Sequence, residues 1–497
     1  MPTPCQTKCG LNSDGGNRQY EQDCVFCRVV QPILNASPQI SREFQISTIM
    51  ELSAIILAGA SVRSLAASAS AIGYKPICCD FFNDADLEFC LNSCGGRLLD
   101  PIQSFGEIPS QLQHIPTSIP LVWCGGLENY PSILTEIAQT RPLLGTPPEA
   151  LRTIRNHALL FQFLQNCGFR TPLSVFRPDV VVNSEKKEIK HWICKPISSS
   201  GGLGIHRIPN QDPNPPFGIS EALHHLNHQL VATDCFLQAF EEGVPMSATY
   251  VTNGTSARLI GCCIQLNGLA SLNSPDFSFC GSVGPVQLPE ESTKNLQSLG
   301  QRLLEFAELR GVFGVDFILQ HGRLIVLEIN PRLTATHEHF DHGSAQPLLQ
   351  THLDACTGVP NADITRVSAF AGRSPSRIPT SFRLILYAPQ TIRMNMERTQ
   401  SLMTFRSPRL RLADIPRPES VIAAGTPFLS VSYYNSVNGP TSKSNLNAEA
   451  RSHAQILQPL DSPGFTNLER RVLPELRGTD VIREVNGLIE RFWEHSN

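Results

Sequence analysis

The chain of 497 residues predicts an α/β protein of several domains, and three stretches carry that prediction. A strand, helix, strand succession opens at Leu52. A later strand bearing Lys195 enters a glycine-rich loop, and the run from Val312 to Glu338 reads as a hairpin with acids on one face. A single core does not grow to this length, so two to four domains are expected.

Composition narrows the classes. Hydrophobic residues make up 41% and charged residues 17%, the balance of a soluble globular protein. With 40 basic against 44 acidic residues, no nucleic-acid partner is expected, because a phosphate backbone is met by a basic surplus. No apolar stretch approaches a membrane span and no basic, then apolar, leader opens the chain, so no membrane partner and a cytoplasmic location are expected. The 16 cysteines are scattered, several within strand patterns, where reduced thiols act as small apolar residues.

Residues 1–49 are polar and turn-rich. Their Cys5, Cys9, Cys24 and Cys27 fit a structural zinc site, or the segment is a disordered or mis-assigned extension before a true start at Met50. From Leu52 the chain reads strand (52–58), helix (61–73) and strand (75–82), a βαβ opening of a Rossmann-like domain over 50–145. Only Gly59 of a dinucleotide fingerprint is present, with Asp80 at a ribose-like distance, which leaves NAD chemistry as a distant alternative. The strand 120–123 ends in Gly125, Gly126, Glu128 and Asn129, and strand ends of such sheets hold ligands. Residues 146–167 read as one helix with Leu151, Ile154, Leu159, Leu160, Phe163 and Leu164 as its apolar stripe, closed by Gly168. A second helix is expected over 296–309. Strands at 382–387, 391–394 and 428–434 and a final helix over 479–494 make 361–497 a β-rich C-terminal domain, with a loose insertion at 436–465.

The register of the acidic hairpin follows from burial. A three-residue loop of His321, Gly322 and Arg323 sets Asp316 opposite Glu328 and Ile318 opposite Val326. It gathers Phe317, Leu319, Ile325, Leu327 and Ile329 on one apolar face, and leaves Asp316, Glu328 and Asn330 together on the other. Three hard oxygen donors on one rigid face suit Mg²⁺, with Mn²⁺ as an alternative ion. The cluster His337, His339 and His342 fits zinc less well, since its spacing matches no common helical pair and histidines beside acids more often hydrogen-bond.

Around Lys195 a short strand leads into Ser198, Ser199, Ser200, Gly201, Gly202 and Gly204. Glycines let backbone N–H groups approach a phosphate, and the lysine adds a point charge held on its strand. No GxxxxGK[ST] occurs, so this is not a P-loop.

Taken with the acidic hairpin, Lys195 and its loop resemble the ATP-grasp superfamily over roughly residues 50–440, and most closely the group described as predicted ATP-dependent carboligases or carboxylate-amine ligases. The stretches AGASVRSLAASA, GGLEN and LEINPRLTATHE carry that narrower resemblance. It implies an N-terminal Rossmann-like domain, a two-lobed α+β ATP-binding domain over 146–360 and a β-rich C-terminal domain.

By position it assigns Lys195, Ser200, Gly201, Gly202 and Gly204 to the ATP phosphates, with Arg155 or Arg152 where many members have an earlier lysine. Gln238 falls at the adenine contact, Phe240 and Glu241 on the linker, and Asp316, Glu328 and Asn330 on the magnesium ions. Arg332 faces the transferring phosphate or the acceptor, so Arg332 and Lys195 are the catalytic candidates. The ribose acid of many members is missing at Gly243-Val244-Pro245, where Glu242 is a substitute. Thr336 stands where biotin carboxylases carry a glutamate, and Glu338 is displaced by two.

The implied activity is an ATP- and Mg²⁺-dependent ligase that activates a carboxylate as an acyl phosphate for capture by an amine, in cofactor biosynthesis by one resemblance. Its partners are a small-molecule carboxylate and an amine, and a homodimer is left open. A carboxylase-like enzyme and a non-catalytic ATP-binding regulatory protein are the alternatives.

Overall fold

The computed structural model describes residues 54–177, 180–182, 189, 191–208, 235–341, 346–357, 381–407 and 410–434. The chain divides into two compact units, Met1–Leu52 and Ser53–Asn497, and every described residue lies in the second. The cysteines of 1–49, His342, the insertion at 436–465 and the helix expected over 479–494 lie outside the described residues.

Three large sheets and a two-stranded ribbon build the described residues of the second unit. The first is parallel: β1 (Ala54–Ala58), β2 (Lys75–Cys79), β3 (Arg97–Leu98), β4 (Leu121–Trp123) and β5 (Leu143–Leu144) stand in the order β3-β2-β1-β4-β5. The order reverses at β1, so β1 and β4 diverge to connections on opposite sides and leave a crevice beyond their ends. A second sheet holds β6 (Ser174–Arg177), β7 (Val180–Val182), β8 (Trp192–Pro196), β9 (His206–Arg207) and β10 (Cys235–Ala239) in the order β7-β6-β10-β8-β9.

The third sheet is the largest. It starts with β11 (Val244–Thr252), β12 (Ala257–Asn267), β13 (Phe279–Val286), β14 (Gly311–Gln320) and β15 (Arg323–Asn330). After β16 (Ser381–Tyr387) comes a small ribbon of β17 (Ile392–Arg393) and β19 (Val421–Ile422), while β18 (Leu410–Ala413) and β20 (Pro427–Tyr434) return to the large sheet. Its order is β15-β14-β11-β12-β13-β16-β20-β18, so the strands read as a C-terminal domain continue the same sheet through the β13–β16 pairing.

Both faces of this sheet are covered. On one, Met246, Tyr250, Val315, Phe317 and Val326 pack with Leu160 and Leu164 of the helix His157–Asn166 and Leu296, Leu299 and Leu303 of the helix Glu290–Phe306. On the other, Val251, Ile260, Cys263 and Val312 meet Leu349 and Leu353 of the helix Leu348–Thr357, in a core shared with Ile55, Leu57 and Leu65 of the first sheet's layer. The mixed α/β character expected from the sequence is present. Among the described residues no helix is long and apolar enough to cross a membrane.

The structure corrects two local expectations. The acidic hairpin closes through two residues, His321 and Gly322, both with positive φ (47° and 70°), as a tight turn between right-twisted strands requires. Such a loop alone would set Asp316 opposite Leu327. A bulge between Asp316 and Phe317 adds one residue on β15, so Phe317 pairs with Val326 while Asp316 still pairs with Glu328. Ile318 therefore faces Ile325 rather than Val326, and Leu327 leaves the expected apolar set to line the cavity described below.

The helix expected over 146–167 is two helices, Pro148–Ile154 and His157–Asn166. Between them Asn156 caps the second, its side chain accepting from the Leu159 amide at 3.2 Å. The break turns Leu159 outward, where it is 50% exposed. Replacing the fully buried Phe317 by alanine is expected to cost about 3–5 kcal/mol in urea unfolding. Leu159→Ala should change stability by less than about 0.5 kcal/mol; equal losses would contradict this assignment of inside and outside.

Candidate active site

Burying a charge demands a partner, and the second and third sheets satisfy that demand in each other. Lys195, on β8, is only 6% exposed, and its Nζ donates to Glu328 Oε2 on β15 at 2.7 Å. Burial by itself would push the Glu328 carboxyl up. The adjacent ammonium, with Arg155 and His157 behind it, overrides burial and holds the group at about 2.

Across the hairpin, Asp316 faces burial and the Glu328 charge together and is pushed up to about 6. Its Oδ1 accepts from Gln265 Nε2 at 3.0 Å and its Oδ2 from Asn330 Nδ2 at 2.9 Å. Ser247, paired with Asp316 in the β11–β14 ladder, adds a further hydrogen bond. The two neighbouring carboxylates thus differ in proton affinity, Glu328 held low by its lysine and Asp316 raised by burial and by Glu328.

The glycine-rich loop arches from the second sheet to the third. Gly201 O accepts from the Phe279 amide at 2.9 Å, and a Cβ at Gly202 would meet Phe277 O at 2.0 Å, so only glycine permits this approach. Ser200, Gly201 and Gly202 line a cavity of about 770 Å³ together with Lys195, Asp316, Glu328, Asn330 and Arg332. Gly204, with φ 77°, turns the chain into β9 beside Pro196 and does not line it.

Arg332 links this site to the first sheet. Its Nε and Nη2 donate to Glu128 Oε1 at 2.9 and 2.7 Å, and Glu128 is 1% exposed on the segment following β4. The neighbouring Asn129 donates to Ser199 O in the glycine-rich loop at 3.4 Å. The crevice of the parallel sheet, the loop and the acidic hairpin therefore share one cavity.

The remaining sequence candidates stand close by without lining it. Arg155 Nη2 donates to Ile197 O at 2.7 Å, at the end of the lysine strand. Gln238, 2% exposed, shares the Lys195 face of the sheet and donates to Ser174 Oγ at 3.4 Å. The Phe240 amide donates to His191 O at 2.9 Å, and the Arg207 guanidinium lies 4.4 Å from its ring; Glu241 follows, half-buried.

Other readings are displaced. Asp80 is spent on the amides of Val62, Phe82 and Asn83 at 2.6–2.7 Å, which removes it as a ribose ligand. Both ring nitrogens of His339 are taken by the Ser282 and Ser381 hydroxyls, so it is not poised to bind zinc. Glu338 is held by Arg63 at 2.7 Å and Arg383 at 3.6 Å, and Thr336 lies buried against Thr334.

Sequence reasoning missed Ser247, Gln265 and His157. The first two are polar positions on otherwise apolar strands, a signal that was present; His157 is an apolar-face histidine pushed down to about 3 by burial and by Lys195, and nothing local marked it.

Residues 154–336 match the family model of the ATP-grasp domain. An uncharacterized protein of Methanocaldococcus jannaschii is 23% identical over 292 residues, 58% of this chain and 63% of that one; the match thus spans less than two thirds of the relative's length. Among solved structures, the N5-carboxyaminoimidazole ribonucleotide synthetase of Thermus thermophilus superposes with TM-score 0.55 at 16% identity, covering 84% of this chain and 98% of that one. The biotin carboxylase domain of the Hydrogenobacter thermophilus 2-oxoglutarate carboxylase gives TM-score 0.57 at 11% identity, over 82% and 89%. These likenesses are of fold.

Replacing Lys195 by methionine tests the electrostatics. An unfolded glutamate titrates near about 4.3, so a folded value near 2 makes the Glu328 contribution present above about pH 4.3 and lost as pH falls toward 2. In Lys195→Met burial is opposed only by Arg155 and His157, so the folded value rises and the contribution at neutral pH shrinks. The stability difference between the two proteins, from urea unfolding at about pH 7 and about pH 3, is expected to shrink in acid. A difference independent of pH would refute the pairing.

Proposed function

From the premise that the chain belongs to the ATP-grasp superfamily, we propose that it is an ATP- and Mg²⁺-dependent ligase that joins a carboxylate to an amine through an acyl phosphate. The observation carrying this reading is the 2.7 Å contact of Lys195 with Glu328 at the junction of two sheets, beside Asp316 and Asn330.

The donor set fits the ion. Among the described residues no three His, Cys, Asp or Glu side chains gather as a metal cage. Two carboxylates and an amide oxygen are instead what Mg²⁺ uses when water and phosphate oxygens complete its octahedron. Bound there, the ion neutralises charge on the transferring phosphoryl group. A divalent charge held there would favour the ionised form of Asp316, which burial and Glu328 otherwise disfavour. Lys195 would offer its ammonium to phosphate oxygens, with Ser200, Gly201 and Gly202 lining the cavity beside it. Phe240, Glu241 and Gln238 flank the adenine end, and Arg155 supports the lysine strand.

In the reaction, an oxygen of the substrate carboxylate forms a bond to the γ-phosphorus as the bond to the β-bridging oxygen breaks and ADP departs. The amine nitrogen then attacks the acyl carbon, loses a proton, and orthophosphate leaves with the mixed-anhydride electrons. The chain's task is in-line placement and charge neutralisation, so no protein nucleophile is needed. Arg332, fixed by buried Glu128, lies beside Gly125 at the first-sheet crevice in this scheme.

A bicarbonate-activating carboxylase is the less favoured reading, because Glu338 is engaged by two arginines and a threonine, Thr336, stands on the cavity wall where a glutamate would be needed.

ADP release should require both an acid and an amine in a paired-substrate screen. Release indifferent to either, without product, would refute the ligase reading. Glu328→Gln is expected to lower kcat by about 10²–10³-fold while nucleotide affinity changes far less; parallel losses in both would remove Glu328 from the transition state.

A further inference from the structure

The same cavity has a second wall, away from the metal face, where Asp84, Arg383, Asp414 and Ser430 meet the β17–β19 ribbon at Val421 and Ile422. Asp84 precedes the helix Ala85–Cys94 at the usual capping position, yet its side chain makes no cap hydrogen bond. The residue is 6% exposed, and no hydrogen bond or ion pair to its carboxylate is found among the described residues.

The nearby cations are already committed. Arg63 holds Asp414 and Glu338 at 2.7 Å each and Asp86 at 3.7 Å, while Arg383 holds Asp414 at 2.8 Å and Glu338 at 3.6 Å. Two guanidinium groups thus face three carboxylates before Asp84 is counted, and Ser430 donates its hydroxyl to Asp414 as well. His337 lines the same cavity with Nδ1 hydrogen-bonded to Thr334 O at 2.8 Å and Nε2 without a partner; with the proton on Nδ1, Nε2 is a further acceptor. Arg383 Nε is an unpartnered donor, but its guanidinium charge is spent on the acids named above.

Burial, reinforced by Asp414, Asp80 and Asp86 and only partly offset by Arg63, pushes Asp84 up to about 9, so at neutral pH it keeps its proton until a further cation lies against it. What this wall lacks is a cation paired with Asp84 among the described residues.

We propose that Asp84 is the counter-ion for the ammonium group of the amine acceptor and takes its proton to free the nitrogen lone pair for attack, so that this part of the cavity selects a cationic amine over neutral or anionic acceptors. The proposal rests on the ligase reading above and adds the charge class of the acceptor and the residue that reads it. Val421, Ile422 and Phe428 on the same wall suit an aliphatic or aromatic stem behind the ammonium.

The test uses the full chain with Mg²⁺ and a non-hydrolysable ATP analogue, and three matched probes: n-butylamine, n-butanol and butyrate. Calorimetric binding is expected for butylamine alone, and Asp84→Asn should weaken it by about tenfold or more, as loss of a charged hydrogen-bond partner does. Nucleotide affinity should be unchanged in that variant, which also reports that it is folded. Asp84→Glu keeps the charge and should retain the preference for the amine. Equal behaviour of the three probes with the wild-type protein, or undiminished butylamine binding to Asp84→Asn, would overturn the proposal. Should Asp84→Asn fail to fold, the probe ordering in the wild type and in Asp84→Glu decides it. Failure of the wild type to bind the Mg²⁺–nucleotide would instead overturn the ligase reading.

Discussion

The contact between Lys195 and Glu328 organises the molecule around its cavity. Each charge is withdrawn from water and tolerable only because the other is present, so β8 of one sheet must reach β15 of another. Once Glu328 is ionised in this way, Asp316 cannot be equally comfortable as an anion, and Gln265, Ser247 and Asn330 collect around it as hydrogen-bond partners. The glycine-rich loop that leaves the lysine strand is drawn over the gap and meets Phe277 and Phe279 at backbone distance. Asn129 contacts that loop, and Glu128 holds Arg332 from the parallel sheet, so the third element is tied to the same centre.

Charge varies systematically along the cavity wall. At the proposed metal face, Lys195, Arg155 and Arg332 stand near two carboxylates, a balance that a divalent cation and a polyphosphate can replace together. At the wall beside β18 and β20, acids outnumber guanidinium groups and Asp84 has no partner among the described residues. An enzyme that must bring an anionic donor and an amine together gains from such a division, because each end disfavours the other's ligand.

Much of this was legible in residues. The strand, helix, strand opening, the Lys195 loop, the acids of the hairpin and the strand end leading to Glu128 and Asn129 all carry local signals. The register of the hairpin shows where such reading fails. Burial parity demanded that Asp316 meet Glu328, and they do meet, but through a two-residue turn and a bulge at Leu327 rather than a longer loop. Parity is a constraint on the outcome, and two backbone routes satisfy it. The helix 146–167 failed for a related reason: its apolar stripe continues through Asn156, and only the cap bond to Leu159 shows where one helix stops and the next begins.

The sequence by itself determined the chemistry available: a strand lysine, a loop that glycine alone can bend, two acids and an asparagine at alternating positions, and an arginine just beyond. These depend on neighbours within a few residues, where periodicity and side-chain chemistry act directly. Tertiary structure alone decided which partners complete them. Gln265, Ser247 and His157 join the site by ladder register or packing, and Arg332 is committed to Glu128 across 204 positions of chain. Asp84, at a helix start that would ordinarily use it as a cap, is instead left on the cavity wall beside carboxylates brought from residues far along the chain. Burial and charge pairing are properties of the assembled space, and a one-dimensional pattern does not contain them.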